Sequence, residues 1–267
     1  MESHDFIDVH CHLIPALDDG AKDFSMALQM AQSAITANTR TVFCTPHHLN
    51  GAFSNSRAII LEQLRILQSQ LLEAGIDLQL VPGSELHLVP ELPAQILAGE
   101  ALTYADLGQA ALVELPKHTV PLGTEAILER LLLNGITPII AHPERNAELA
   151  RNPNKLAPWI EDGCKLQLTA QSCAGDFGKP IQQVCHLWCK QGWVHLIASD
   201  AHRPHGRMPD MRMGYQAVMQ WLDQDSAQLL TVTNPGRLLI GEPLLNLQPI
   251  AVQPSVLARL RHWLRAS

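Results

Sequence analysis

Short apolar segments of strand length recur along the chain and alternate with longer segments of helical period. One of them, Thr137 to Ala141, is almost continuously hydrophobic, as expected of a strand that is buried on both faces. Seven segments of this kind predict strands at Phe6 to His10, Thr41 to Thr45, Leu78 to Glu85, Ala110 to Glu114, Thr137 to His142, Lys165 to Thr169 and Val194 to Asp200. This alternation is typical of repeated βα units around a parallel sheet.

The segments between these strands contain apolar residues at spacings that share one face of a helix. Ile60, Leu64 and Leu67 recur in this way, and the following Gly75 is suited to end their helix. The pattern predicts helices at Asp23 to Asn38, Ser54 to Gly75, Thr124 to Asn134, Leu156 to Gly163, Pro180 to Gln191, Met213 to Gln224 and Ser255 to Arg265. We therefore expect one domain spanning residues 1–267, an α/β protein with a distorted TIM-like barrel of about seven strands.

Composition and charge narrow the classes of function. Apolar residues make up 46% and charged residues 17% of the 267 residues, which is ordinary for a globular protein with a large core. The net charge of -7 disfavours nucleic acid as a partner, and the absence of a signal peptide or spanning segment predicts a cytoplasmic protein without membrane insertion. The six cysteines form no C-x-x-C pair and are expected to be reduced core residues.

The 13 histidines suggest where the chemistry lies, because several follow predicted strands and imidazole is a common metal ligand. His10 and His12 end the first strand, and strand alternation points both side chains to the same side. Functional residues of an α/β barrel gather at these carboxyl ends. We therefore interpret His10 and His12 as ligands of one metal ion, whereas isolated His4, His87, His186 and His195 are interpreted as hydrogen-bonded structural residues.

Further ligand-type residues occupy the later strand ends. Those that follow or end a predicted strand are His47, Glu85, Glu114, His142, Asp200 and His202. Asp19 lies in the first loop, where the alternative interpretation of Asp18-Asp19-Gly20 is a simple turn. With His10 and His12 these candidates number nine, which exceeds the shell of one ion and predicts two or three divalent ions. Zinc, manganese and iron all suit such a mixed donor set.

Clustered divalent ions of this kind suit the hydrolysis of phosphate esters, because they neutralise phosphoryl oxygens and make water nucleophilic. Arg145 follows His142 by three residues and offers a planar guanidinium for phosphate oxygens. The residues thus predict phosphomonoester hydrolysis, and pocket shape must decide the substrate.

The ordered motifs resemble the polymerase-and-histidinol-phosphatase (PHP) superfamily. They are Asp8-Val9-His10-Cys11-His12, Thr45-Pro46-His47-His48, Ala141-His142-Pro143-Glu144-Arg145 and Ser199-Asp200-Ala201-His202. Together with Asp18-Asp19-Gly20 they are most similar to the bacterial capsule-locus protein tyrosine phosphatases. The resemblance extends from about Ile7 to Leu239 and implies a distorted seven-stranded barrel with three metal ions, often manganese. It further implies phosphotyrosine hydrolysis on autokinases that control export of capsular polysaccharide or exopolysaccharide, at their C-terminal tyrosine cluster.

The resemblance also implies roles for individual residues. One metal would be held by His10, His12, Glu85 and Asp200, a second by Glu85, Glu114 and His142, and a third by Asp19, His47 and His202. A metal-bound hydroxide would attack phosphorus in line, while Arg145 and Arg207 orient the phosphate. The loop Leu115-Pro116-Lys117-His118-Thr119 departs from the more aromatic version expected of the family, and either Lys117 or His118 is a candidate substrate contact. An oligomer is possible, although we identify no N-terminal arginine-pair motif.

Several alternatives were weighed against this interpretation. A cysteine-based tyrosine phosphatase is rejected, because its nucleophile requires an arginine six positions later. The residues six after the cysteines are Leu17, Asn50, Ala170, Lys179, Gln191 and His195. Histidinol phosphatase, a metal-dependent nuclease or amidohydrolase-like barrel, and a non-catalytic metal-stabilised scaffold remain open.

Overall fold

A computed structural model describes residues 5–48 and 51–249. The strands are β1 (Phe6–Cys11), β2 (Thr39–Cys44), β3 (His47–His48), β4 (Gln79–Pro82), β5 (Glu85–His87), β6 (Ala110–Glu114), β7 (Thr137–Ala141), β8 (Lys165–Thr169) and β9 (Val194–Ala198). The α-helices are α1 (Phe24–Thr36), α2 (Arg57–Glu73), α3 (Leu92–Leu97), α4 (Thr124–Leu133), α5 (Ala147–Arg151), α6 (Ala157–Glu161), α7 (Ala170–Ala174), α8 (Lys179–Lys190), α9 (Arg212–Trp221), α10 (Gln224–Gln228) and α11 (Asn234–Leu239). Short 3-10 turns at Tyr104–Asp106, Pro143–Arg145 and Pro153–Leu156 and a π-helical turn at Leu229–Thr233 complete the described elements.

All strand pairs within the two sheets are parallel. The smaller sheet has the order β1-β2-β4, and the larger has the order β3-β5-β6-β7-β8-β9. Two chain segments pass from one sheet into the other, because β2 continues into β3 after residues 45–46 and β4 continues into β5 after residues 83–84. All seven predicted strands are observed. The one predicted at Leu78 to Glu85 is interrupted between β4 and β5, and β3 lies beyond the predicted end of the second strand at Thr45.

The two interruptions lie side by side and have a local cause. Pro46 has no backbone N–H for a strand ladder, and its carbonyl instead accepts a hydrogen bond from the Glu85 N–H at 3.1 Å. A Cβ atom at Gly83 would lie 3.1 Å from the Thr45 side chain, so glycine permits this close approach. The kinks redirect His47 and Glu85 into the larger sheet, where they pair directly.

The first and last strands meet at their carboxyl ends. The Asp200 N–H donates to the His10 carbonyl at 2.8 Å, and the His12 N–H donates to the Ala201 carbonyl at 2.9 Å. A central core is formed by one or two inward side chains from most strands, among them Val9, Phe43, Val81, Leu112, Ile139 and Leu196. The predicted α/β class with parallel strands is confirmed, and the strands adopt a barrel-like order in which every carboxyl end lies on the same side.

Most longer helices agree with their sequence patterns, and their caps explain their limits. The Asp23 carboxylate accepts the Met26 N–H at the start of α1, and the Ser56 hydroxyl accepts the Ile59 N–H at the start of α2. The predicted helix over Leu156 to Gly163 is limited to α6, and α3, α5, α7, α10 and α11 were not predicted. The helix predicted at Ser255 to Arg265 lies outside the described residues. Within residues 5–48 and 51–249, no helix is long and apolar enough to cross a membrane.

Candidate metal centre

The carboxyl ends of the strands surround a cavity of about 380 Å³ that collects the predicted site residues. Nine of the eleven line this cavity: Asp19, His47, Glu85, Glu114, His142, Arg145, Asp200, His202 and Arg207. His10 and His12 are fully buried at the end of β1 and contact Glu85 and Asp200. The structure thus brings together all the residues that the strand-end argument selected.

Four buried donor atoms form the densest cluster. The Nε2 atoms of His10 and His12 lie 3.2 Å apart. Each of them lies 3.4 Å from Glu85 Oε2 and 3.3 Å from Asp200 Oδ1. Asp200 Oδ1 has no hydrogen-bond partner among the described residues. Ligands that share one tetrahedral ion at 2.0–2.1 Å lie about 3.3 Å from each other. The donor atoms of His10, His12 and Glu85 all lie within 4.8 Å of one another and form a candidate metal group, which Asp200 adjoins through its contacts with both histidines.

Two further groups of donors adjoin this cluster. Asp19 Oδ1 lies 3.2 Å from His202 Nε2 and 3.5 Å from His47 Nε2, and the three residues form a group with His12 within 4.8 Å. His47, Glu85 and Glu114 form another such group, with His47 Nδ1 at 3.0 Å from Glu85 Oε2 and 3.6 Å from Glu114 Oε2. The described residues therefore contain three adjacent groups of metal-type donors, which share His12, His47 and Glu85.

The pairing around Glu114 differs from the pairing that the resemblance implied. His142 Nε2 lies 2.6 Å from Glu85 Oε1, whereas Glu114 lies near His47 and at 3.7 Å from His87 Nδ1. Glu85 thus presents Oε1 to one histidine and Oε2 to three others, an arrangement that suits a carboxylate shared between ions. The division of the nine residues into three ligand sets stays a prediction.

Two of the predicted ligands have unusual backbone conformations. His142, directly after β7, has φ of 32°, and Asp200, two residues after β9, has φ of 50°. Non-glycine residues rarely adopt positive φ, and such strain concentrates at functional sites. These backbone conformations direct both side chains into the site, where His142 contacts Glu85 and Asp200 contacts His10.

Electrostatics keeps the buried carboxylates ionised. Burial alone raises the pKa of Glu85, but the adjacent His10 and His142 lower that pKa well below its usual range. Burial likewise opposes ionisation of Asp200, yet Arg145, followed by His10, lowers its pKa well below normal. Anionic oxygens at the centre of the cluster are the form that a cation requires.

Neighbouring carboxylates raise the pKa values of two histidines in the cluster. Burial favours neutral His12, but attraction to Asp18 raises the pKa of His12 well above its ordinary value. For His47, hydrogen bonds to Asp19 and Glu85 outweigh burial and raise the pKa to about 10. In this cluster positive charge is strongly favoured, and divalent ions can supply it in place of protons.

Three supporting residues were not recognised from the sequence. Asp18 Oδ2 accepts from His12 Nδ1 at 2.7 Å and from the His47 N–H at 3.1 Å. Gln167 Oε1 accepts from His10 Nδ1 at 2.9 Å, and Asp8 accepts the Ser199 N–H at 2.9 Å. The contacts of Asp18 and Gln167 with ring nitrogens are of the type that fixes the tautomer and direction of a ligating imidazole, whereas Asp8 joins the first strand to the segment after the last. For Asp18 the only available signal was its neighbour Asp19, because a turn explained the pair equally well.

The loop that carries Asp18 also requires a glycine for steric reasons. A Cβ atom at Gly20 would lie 2.2 Å from the His12 carbonyl oxygen and 2.4 Å from the His12 Cβ. The Gly20 N–H donates to Asp18 Oδ1 at 2.9 Å, so the turn interpretation of this loop is correct as well. Asp18 therefore closes the turn with one oxygen and orients His12 with the other.

The two predicted phosphate-binding arginines converge on one atom. Arg145 Nη2 and Arg207 Nη2 each lie 2.5 Å from Asp200 Oδ2, the oxygen that faces away from His10 and His12. The Nε atom of each guanidinium has no hydrogen-bond partner among the described residues. Both side chains line the cavity and retain donors for an anionic group next to the metal cluster.

Of the four histidines interpreted as hydrogen-bonded structural residues, His195 is confirmed as one. His195 Nδ1 accepts from the Leu166 N–H and His195 Nε2 contacts Asn246 Oδ1, so this buried residue is structural. His186 packs against Trp221, and His4 lies outside the described residues. His87, interpreted as structural, lies near Glu114 at the edge of the site.

Comparison with known proteins agrees with this site. The chain belongs to the family described as capsular polysaccharide synthesis, CpsB/CapC, whose model matches residues 6–240. The resemblance to the capsule-locus group is therefore confirmed.

Individual relatives belong to the same group. The tyrosine-protein phosphatase YwqE of Bacillus subtilis (strain 168) is 37% identical over 196 residues, which cover 73% of this chain and 77% of YwqE. The tyrosine-protein phosphatase CpsB of Streptococcus pneumoniae is 26% identical over 88% of this chain and 99% of CpsB. A crystal structure from work on these two proteins, described as unique metal-dependent tyrosine phosphatases, matches with a TM-score of 0.87 and 32% identity over 92% of this chain and 99% of that chain.

Proposed function

We propose that this protein is a metal-dependent protein tyrosine phosphatase, a phosphoric monoester hydrolase that acts on phosphotyrosine in proteins. The observation that carries the proposal is the group of four donors from His10, His12, Glu85 and Asp200, with two arginines on the other oxygen of Asp200. Metal donors and phosphate-binding groups are thereby joined through one carboxylate. The named activity of YwqE and CpsB supports the same substrate class.

We further propose two or three divalent ions, held by the nine residues His10, His12, Asp19, His47, Glu85, Glu114, His142, Asp200 and His202. Manganese is favoured by the family resemblance, and zinc and iron also suit the donors. When bound, such ions supply Lewis acidity at phosphoryl oxygens and make water acidic enough to act as a nucleophile near neutral pH.

The chain itself binds and orients the phosphate. Arg145 and Arg207 are held by Asp200 and direct their remaining N–H groups to the equatorial oxygens, whose charge they neutralise. Holding the phosphate in line with the attacking water lowers the entropic part of the activation free energy of hydrolysis. No side chain is needed as a covalent nucleophile, and the nearest thiols, Cys11 and Cys44, are buried, with pKa values raised above the ordinary range by that burial.

The physiological partner that we propose is the C-terminal tyrosine cluster of a polysaccharide-export autokinase, encountered in the cytoplasm. The family description links such chains to capsular polysaccharide synthesis. All six cysteines are free and buried, which agrees with a reducing compartment.

The test is a parallel assay on protein that has been stripped of metal and reloaded separately with manganese, zinc, iron or magnesium. The substrates are a phosphotyrosine peptide, histidinol phosphate and single-stranded DNA, and metal content is measured in the same samples. Metal-dependent release from the peptide well above the other two supports the proposal. A preference for histidinol phosphate or DNA overturns the substrate, and inactivity on all three overturns the phosphatase proposal in favour of a scaffold.

A matched pair of histidine variants separates the site from the fold. His47→Ala should abolish most turnover, whereas His186→Ala, on α8 against Trp221 and outside the cavity, should retain it. Circular dichroism of both proteins should match the wild type. Equal activity of the two variants would contradict the assignment of the site.

A further inference from the structure

Three apolar side chains, Leu115, Phe177 and Ile181, line the cavity beside the polar site residues. Phe177 and Ile181 line the cavity, and Phe177 is half-buried there. Phe177 lies in the turn between α7 and α8, and Ile181 lies in the first turn of α8. Neither residue contributes to the proposed metal or phosphate chemistry, and Ile181 also packs against the hydrophobic core.

The aromatic ring of Phe177 lies beside the phosphate-binding arginines. The guanidinium carbon of Arg145 lies 5.9 Å from the centre of the Phe177 ring, and Arg145 contacts Asp200 on its other side. A group bound by Arg145 therefore lies close to the Phe177 ring. An aryl phosphate carries its ring one oxygen away from phosphorus, which places that ring near Phe177.

The turn that presents Phe177 is held by several hydrogen bonds. Gly175 and Gly178 flank it with φ of 97° and 96°, values that favour glycine. The Gly178 N–H donates to the Gly175 carbonyl at 2.9 Å, and Gln182 Nε2 donates to the Cys173 carbonyl at 3.0 Å. A wall that is already ordered costs little conformational entropy when a substrate ring packs against it.

We propose that Phe177 and Ile181 form an aryl subsite that packs against the ring of the substrate and selects aryl over alkyl phosphomonoesters. This inference rests on the proposed function and adds the means by which the site distinguishes phosphotyrosine from phosphoserine. The two substrates share the phosphate, so the metal donors and arginines alone bind both equally. The phenol of phosphotyrosine is also the better leaving group, but that difference acts on turnover and not on binding. In binding, aromatic packing against the ring favours phosphotyrosine.

The test compares phenylphosphonate with methylphosphonate, which share the phosphonate group and differ in the ring. Dissociation constants are measured by calorimetry on the metal-loaded wild type and on Phe177→Ala, Phe177→Leu, Ile181→Ala and a control, Phe24→Ala. Phe24 is a half-buried phenylalanine of α1 that lies outside the cavity. Turnover of matched phosphotyrosine and phosphoserine peptides is recorded with the same samples.

We expect the wild type to bind phenylphosphonate more tightly than methylphosphonate. Phe177→Ala should weaken phenylphosphonate roughly tenfold and methylphosphonate less than about twofold, with a smaller loss for Phe177→Leu. Ile181→Ala should act in the same direction by about threefold, although it leaves the contact between Arg145 and Phe177 in place. Phe24→Ala should change neither constant.

Two results would overturn the inference: equal weakening of both phosphonates, which assigns Phe177 to support of Arg145 alone, or a wild type without preference for the phenyl compound. The proposed function fails separately, if the wild type does not hydrolyse the phosphotyrosine peptide under any metal. Because the phosphonate constants do not depend on turnover, the two failures are distinguishable.

Discussion

Asp18 provides the sharpest test of the metal centre, because it touches two predicted ligands and is not one itself. Its Oδ2 accepts from His12 Nδ1 and from the His47 N–H, while Oδ1 closes the turn at Gly20. Asp18→Asn keeps the size of the side chain but replaces one oxygen by an NH₂ group and removes the negative charge. Either the turn or the contact with His12 must then lose its acceptor.

The expected magnitude follows from the contact with His12. At 2.7 Å between Asp18 and His12, the hydrogen bond is charge-assisted and holds the ring with Nε2 toward His10, Glu85 and Asp200. Loss of a supporting carboxylate of this kind weakens metal affinity about 10- to 100-fold, or about 1.4–2.7 kcal/mol. We expect Asp18→Asn to weaken the affinity of the tightest metal site by a factor within this range.

The assay is competition for Mn²⁺ or Zn²⁺ against a chromogenic chelator, which gives the dissociation constant without any substrate. Asp23→Asn is the matched control, because Asp23 also accepts a backbone N–H, at the start of α1, but lies away from the donors. Thermal unfolding of the metal-free proteins checks that both variants fold. If Asp18→Asn binds metal within about twofold of the control, the argument that Asp18 orients a ligand is refuted.

Three further outcomes are expected. Arg145→Lys keeps the charge but loses the planar guanidinium, so kcat/KM for a phosphotyrosine peptide should fall roughly 100-fold with an unchanged far-UV spectrum; near-wild-type turnover would remove Arg145 from phosphate binding. Cys44→Ser should retain most activity, since that buried thiol is no nucleophile, and a loss without unfolding would reopen thiol catalysis. Burial, followed by Lys165, lowers the pKa of His195 from 6.5 to about 4, so the neutral ring stabilises the fold fully above pH 6.5 and this contribution is lost as pH falls toward 4. From pH 7.5 to pH 5, His195 should therefore lower the free energy of unfolding by about 2 kcal/mol. Urea unfolding of metal-free wild type and His195→Gln at both pH values isolates this contribution, because the other histidines titrate in both proteins and the change should be about 2 kcal/mol less favourable in the wild type.

The strands and their order could be predicted because burial on both faces leaves a continuous apolar pattern. The two interruptions could not, since the breaks at Pro46 and Gly83 depend on which strand each half pairs with. Short helices such as α5 and α7, with five residues each, contain too few turns for a period to emerge. Their positions are set by tertiary packing.

Some residues of the candidate site could be predicted from the sequence, and others could not. His10 and His142 could be selected because ligand types at strand ends meet wherever parallel strands share a carboxyl edge. Gln167 could not, because a glutamine inside a strand has no ligand pattern, and only the fold brings it to His10. Phe177 was missed for a related reason, since an isolated aromatic residue in a turn carries no periodicity.

The contact between the first and last strands has a consequence for biosynthesis. Asp8 bonds to Ser199, which follows it by 191 residues, and the His10 and His12 imidazoles face Asp200. A nascent chain therefore carries the two predicted histidine ligands long before the ribosome has made their carboxylate partner. Under the proposed function, the full set of donors can form only after translation has passed Asp200 and His202, and a product truncated earlier lacks the carboxylate that faces both histidines.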